Sequence, residues 1–111
     1  MGTWYYLSMR IIAKRTLREF WEKHSSAKQP LLSWYKTVQI ANWQNNAEIK
    51  ERFSTVSILN ATRIVFNIGG NKFRLICIVR FDKQIIFIRF IGTHKEYDNI
   101  NAAEVYKWIL N

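Results

Sequence analysis

His94 is one of two histidines in a chain of 111 residues that carries 17 Lys+Arg against 8 Asp+Glu, a formal charge of +9. It comes just after an apolar run, Ile85-Ile86-Phe87-Ile88-Arg89-Phe90-Ile91, that closes on Gly92. Lys95, Glu96, Tyr97 and Asp98 follow it directly. A strand end that opens into a polar segment is where a rigid scaffold presents reactive groups. An imidazole exchanges a proton near neutral pH, and a cationic surround attracts polyanions. The combination suits acid–base chemistry on a polyanion. Glu96 and Asp98 either orient the imidazole or cap a helix starting near residues 99–101, and capping is the preferred assignment for Asp98. Tyr97 orients a phosphate, donates a proton, stacks on a base, or simply closes the edge of the core.

A second group of cations lies one strand earlier. In residues 72–81 the period-two alternation sends Phe73, Leu75, Cys77 and Val79 one way. Lys72, Arg74, Ile76, Ile78 and Arg80 point the other. Lys72 and Arg74 therefore share a face beside a glycine-rich turn. Such a pair can grip a phosphate and stabilise charge that builds on it. The bland alternative is two solvated cations on an exposed sheet face.

The elements that must position these groups form one domain, which a chain of this length can fold without staples. Hydrophobic residues make up 49% and charged residues 23%, a globular balance. Residues 9–13 alternate weakly and predict a short first strand. Leu17, Phe20, Trp21 and His24 repeat at helical spacing within residues 14–26, so His24 reads as a packing residue. Pro30 fits the first turn of a second helix, where Leu31, Trp34, Tyr35 and Val38 repeat in the same way. Residues 47–53 predict a helical turn with Ile49 and Phe53 on one side, followed by a loop. Three strands are expected at 63–68, 72–81 and 84–91. Gly69-Gly70-Asn71 and Asp82-Lys83 join them, and joints this short force antiparallel pairing. Residues 101–110 predict a terminal helix. The order β-α-α-β-β-β-α places helices on one face of a small antiparallel sheet, an α+β class.

Other classes are excluded or disfavoured. Cys77 is the only cysteine and reads as a buried small hydrophobe, so neither an internal disulfide nor a structural zinc site can be assembled from thiolates. A reducing cytoplasm is the expected compartment. No apolar run is long enough to span a bilayer. Residues 1–8 lack charge and a basic start, so they do not resemble a signal peptide. They are expected to be an upstream extension of a working domain at 9–111, with Met9 as the more natural beginning. Lys14, Arg15 and Arg18, near Arg10, form a basic helix face that suits either a nucleic-acid backbone or an acidic partner.

Two segments together carry a family likeness. Residues 63–76, RIVFNIGGNKFRLI, and residues 91–98, IGTHKEYD, resemble the HigB family of bacterial toxins, relatives of the RelE toxins of type II toxin–antitoxin systems. The likeness runs from Met9 to about Ile100. It implies a RelE-like fold with RNA laid across the sheet face opposite the helices. It implies a ribosome-dependent mRNA endoribonuclease that works without metal or cofactor, by attack of the 2′-OH on the adjacent phosphorus. It also implies neutralisation by a HigA-type helix-turn-helix antitoxin, through which the toxin acts indirectly on operator DNA. By the same likeness His94 is the general acid, Lys72 and Arg74 stabilise the charged phosphate, and Tyr97 positions the nucleotide. Lys14, Arg15, Arg80, Arg89 and Lys95 are the expected RNA-backbone contacts. The residue that takes the 2′-OH proton stays open among Glu96, Tyr97, a lysine and the RNA itself. A non-catalytic RNA- or DNA-binding module is the competing reading, and a degenerate toxin that serves only as an antitoxin's partner is another.

Overall fold

A computed structural model describes residues 9–100 of the chain. The expected upstream extension and the terminal helix lie outside the described residues. The elements run β1 (Arg10–Ile12), α1 (Lys14–Lys23), a 3-10 turn (Ser25–Ala27), α2 (Lys28–Gln39), α3 (Asn46–Arg52), β2 (Ser57–Ile58), β3 (Arg63–Ile68), β4 (Phe73–Arg80), β5 (Ile85–Thr93) and α4 (His94–Asp98). The class is α+β, as the sequence implies.

The five strands form one sheet in the order β1-β5-β4-β3-β2. The β3–β4 and β4–β5 hairpins are antiparallel, as their short loops require. β1 instead pairs parallel with β5. The three helices and three strands between them free its direction, so the sheet is antiparallel except at this edge. The β3–β4 loop spans four residues rather than three, since Ile68 pairs with Phe73. Gly69 and Gly70 both adopt positive φ there, +64° and +70°, which is open to glycine at no steric cost.

Leu17 of α1 and Leu31, Trp34 and Val38 of α2 pack on Phe66, Phe73, Leu75, Cys77, Val79, Ile86 and Ile88 of the sheet. The alternation in β4 is therefore as expected. Aromatic edges lock this layer: Trp34 meets Phe66 at 5.4 Å between centroids, and Phe53 meets Phe66 at 5.2 Å. His24 stacks on Phe20 at 4.4 Å and so belongs to the packing, as its helical face suggests. α3 begins under an Asn45 side chain that accepts from the Glu48 N–H. β2 was expected to be loop. A two-residue strand carries no periodic signature, and only its pairing with Ile64 and Val65 reveals it.

A second, smaller cluster occupies the other face of the sheet: Val65, Ile76 and Phe90 are buried, with Tyr97 and Ile100 packed against them. The face expected to be open is thus partly covered where α4 turns back over it.

Phe66 is fully enclosed between Trp34 and Phe53. Phe66→Ala is expected to lower stability by about 3–5 kcal/mol in urea unfolding. Burial pushes the Cys77 thiol pKa up, which keeps it protonated and inert. An alkylating reagent should leave Cys77 untouched in the native protein and modify it only after denaturation.

Candidate active site

β4 and β5 meet at an irregular point. Ile76 pairs with Phe90, but the next residue, Cys77, pairs with Ile88, so Arg89 is an extra residue on β5. A bulge of this kind reverses the parity of a strand. Before it, Ile86 and Ile88 face the helical layer; after it, Phe90 faces the opposite side, with Gly92 at the next position of like parity. Arg74 lies directly across the ladder from Gly92. The bulge thus decides which side chains accompany Arg74 beyond the sheet.

Gly92 is required by space. A Cβ there would stand 2.5 Å from Cζ of Phe90 and 3.0 Å from Oε1 of Glu96. Its absence lets the Phe90 ring lie across the strand and lets Glu96 reach back. β5 runs past Gly92 to Thr93, and no loop intervenes before α4. Thr93 is the N-cap: its hydroxyl accepts from the Glu96 N–H at 3.1 Å, while Glu96 accepts from the Thr93 N–H at 2.8 Å. This reciprocal capping box follows from the T-x-x-E spacing of residues 93–96. Glu96 is therefore a cap. Asp98 closes α4 and faces His94, with its Oδ2 3.0 Å from His94 Nδ1. The later helix that Asp98 is expected to cap lies outside the described residues.

His94 opens α4, and its N–H donates to the Lys72 carbonyl at 3.0 Å. Lys72 lies in the turn, one residue before β4, and this bond extends the ladder by one step to set it beside His94. Arg74 curls toward the hairpin, where Nη2 donates to Asn71 Oδ1 at 2.7 Å and Nη1 to the carbonyls of Asn71 and Phe73, each at 3.3 Å. These acceptors are neutral, so the guanidinium is oriented without being neutralised. It lies 5.8 Å from the centre of the Tyr97 ring, which it approaches as a cation over an aromatic face. His94, Tyr97 and Asp98 stand at i, i+3 and i+4 and share one side of α4. His94, Arg74, Tyr97 and Lys72 thus lie at one end of the sheet.

The other expected contacts are dispersed. Lys14 lies over the Tyr35 ring at 4.6 Å, and Arg15 pairs with Glu19 at 3.0 Å. Both belong to the helical layer, across the sheet from Arg74. Arg80 holds Asp82 through two bonds of 3.2 and 3.1 Å, and this pairing lowers the Asp82 carboxyl pKa. Arg80 is six residues along β4 from Arg74, about 20 Å at ~3.3 Å per residue. Arg89, at the bulge, stands 5.5 Å from the Phe87 ring centre. Lys95 is exposed beside His94.

Two groups escaped the sequence reading. Asn71, taken only as a turn residue, is what aims Arg74. Arg63, only 8% exposed, has its pKa pushed down by burial and then by the positive charge of Arg89. A buried arginine has no sequence signature, whereas an amide at a turn next to a sheet cation is a signal that could have been used.

A cavity of ≈ 490 Å³ borders β5, lined by Thr16, Arg89, Phe90, Ile91, Glu96 and Ile100 among others. His94, Arg74 and Tyr97 do not line it, so a chain laid over those groups would use the surface. Among the described residues, no three His, Cys, Asp or Glu side chains gather as a metal site requires. No helix among them is long and apolar enough to cross a membrane.

The fold and its charge define a class: a small basic α+β domain that sets His94, Lys72, Arg74 and Tyr97 at one end of its sheet. Comparison with known proteins gives the family. The profile of the HigB toxins, described as the RelE-like toxic component of a toxin–antitoxin system, matches residues 27–100. The mRNA interferase toxin HigB of Escherichia coli (strain K12) is 30% identical over 97 residues, covering 86% of this chain and 93% of that protein. The mRNA interferase HigB of Shigella flexneri shows the same figures. The mRNA interferase HigB of Escherichia coli O6:H1 is 26% identical over 94 residues, covering 83% and 91%. The chain belongs to the HigB toxin family.

Gly92→Ala should force the Phe90 ring out of its cluster and break the contact to Glu96. The expected loss is about 1–3 kcal/mol by chemical denaturation, the usual result of overpacking. The displacement of α4 should appear as changed amide shifts at residues 93–98.

Proposed function

We propose that this protein is the toxin of a type II toxin–antitoxin pair, an endoribonuclease that cleaves mRNA on translating ribosomes in the cytoplasm. The observation that supports the reading is that His94, Arg74, Lys72 and Tyr97 lie at the same end of the sheet. Family membership and the names of the relatives supply the substrate class. A HigA-type helix-turn-helix antitoxin neutralises the toxin, and through it the pair acts on operator DNA.

The chemistry follows from the groups present. The 2′-OH loses its proton and its oxygen bonds to phosphorus, while the bond from phosphorus to the 5′ oxygen breaks. Negative charge grows on the phosphate oxygens. Arg74, oriented by Asn71, and Lys72 stabilise it electrostatically. His94 delivers a proton from Nε2 to the departing 5′ oxygen. Tyr97 backs the guanidinium and offers its ring edge and hydroxyl to the nucleotide. The Glu96 carboxylate is occupied by the Thr93 N–H, which argues against it as the group that takes the 2′-OH proton. Tyr97, a lysine and the RNA itself remain the candidates for that step. The products are a 2′,3′-cyclic phosphate and a 5′-OH. Lys95, exposed beside the imidazole, is placed to meet a neighbouring phosphate. Arg89 lies further along β5, on the strand that carries His94 at its end.

Induction in a bacterial host should arrest growth, and His94→Ala or Arg74→Ala should relieve the arrest. In a cleavage assay on programmed ribosomes the histidine variant should lose about 10²–10⁴-fold in rate, and the arginine variant about 10²–10³-fold. New transcript ends should carry 5′-OH groups and respect the reading frame. Folded variants that stay fully toxic would remove these residues from the site, and an absence of new ends would favour a binding module.

A further inference from the structure

His94 and Asp98 form a pair that helix stability does not explain. An imidazolium in the first turn and a carboxylate in the last both oppose the helix dipole, and the favourable orientation of an i,i+4 pair is the reverse. The side chains are 45% and 57% exposed, where an ion pair contributes little to folding. α4 is already capped by Thr93 and Glu96. The pair does have one chemical consequence. A carboxylate has only acceptor oxygens, so Nδ1, 3.0 Å from Asp98 Oδ2, is held there as the protonated nitrogen once its N–H turns onto that oxygen. With Nδ1 serving Asp98, Nε2 is the nitrogen left to exchange a proton with anything bound outside.

We infer that Asp98 is a positioning residue that holds His94 in the Nδ1–H form, with Nε2 turned outward as its working nitrogen. The inference rests on the function proposed above and assigns a group to it that the resemblance did not. The surroundings leave Asp98 this role. Glu96 is bound to the backbone of Thr93. Lys72 reaches His94 across the ladder through its carbonyl. Lys95 and Arg74 are cations and cannot accept a proton from Nδ1. In the acid step the Nε2 proton passes to the 5′ oxygen, the Nδ1 proton stays on the ring, and Asp98 remains ionised. A carboxylate that orients an imidazole in this way acts by fixing its tautomer and ring plane, as in serine hydrolases.

The test has two readouts on the full chain. In ¹⁵N NMR of the neutral imidazole, the wild-type His94 should show protonated Nδ1, and Asp98→Ala should shift the population toward protonated Nε2. In the ribosome cleavage assay, Asp98→Ala should lower kcat about 10–100-fold with KM little changed, as expected for a lost orienting partner of a general acid. Asp98→Glu should recover part of that loss, and circular dichroism should stay native because Asp98 is exposed. A wild-type His94 protonated on Nε2, or an Asp98→Ala protein with wild-type kcat beside an inactive His94→Ala, overturns the positioning role alone. An active His94→Ala overturns the site assignment beneath it.

Discussion

One extra residue in β5 governs the site. In a regular ladder every second side chain of β5 would face the helical layer from Ile86 to Gly92, and Phe90 would enter the main core. The bulge at Arg89 shifts the parity, so that Phe90 and Gly92 emerge on the side of Ile76 and Arg74. Several features then follow. Phe90 needs cover, and Val65, Ile76, Tyr97 and Ile100 supply it. Gly92 has no side chain, which clears the ground opposite Arg74. Glu96 enters the space so made and closes the cap that starts α4. His94 takes its position from that cap and from the Lys72 carbonyl.

Two apolar clusters accordingly do different work. The larger one joins the helices to the sheet and carries most of the buried surface, on which global stability depends. The smaller one fastens a five-residue helix, which by itself is far too short to persist in water. α4 stays helical because Tyr97 is anchored beneath it and Thr93 caps it. Substitutions in the small cluster should therefore disturb the imidazole well before they unfold the domain.

Much of this was legible in the residues. The β3–β4 hairpin shows in its glycine pair and β-branched flanks, and the alternation in β4 correctly separated Arg74 from Leu75 and Cys77. The two helical stripes of α1 and α2 carried their register through Leu17, Leu31, Trp34 and Val38. Other parts left weaker traces. The bulge has no compositional mark, because Ile88-Arg89-Phe90 reads as plain alternation and its burial pattern stays alternating throughout. The change lies only in which core each residue joins. α4 reads only as a polar segment although Thr93 and Glu96 stand at capping-box spacing, because the apolar run before it closes on Gly92. Asp98 reads as the cap of a later helix, which lies outside the described residues, while its spacing of four from His94 marks the contact that the structure shows.

The distribution of positive charge separates structure from site. Arg15 and Arg80 each face a carboxylate, and Lys14 lies on an aromatic ring, so these cations have local partners that account for their placement. Arg74 differs in kind. Its hydrogen bonds go to an amide and two carbonyls, which fix direction while leaving the charge undiminished. Among the described residues Arg74 thus makes no ion pair, which leaves its charge free for an anion from outside, and the same end of the sheet holds the one imidazole not taken up by core packing.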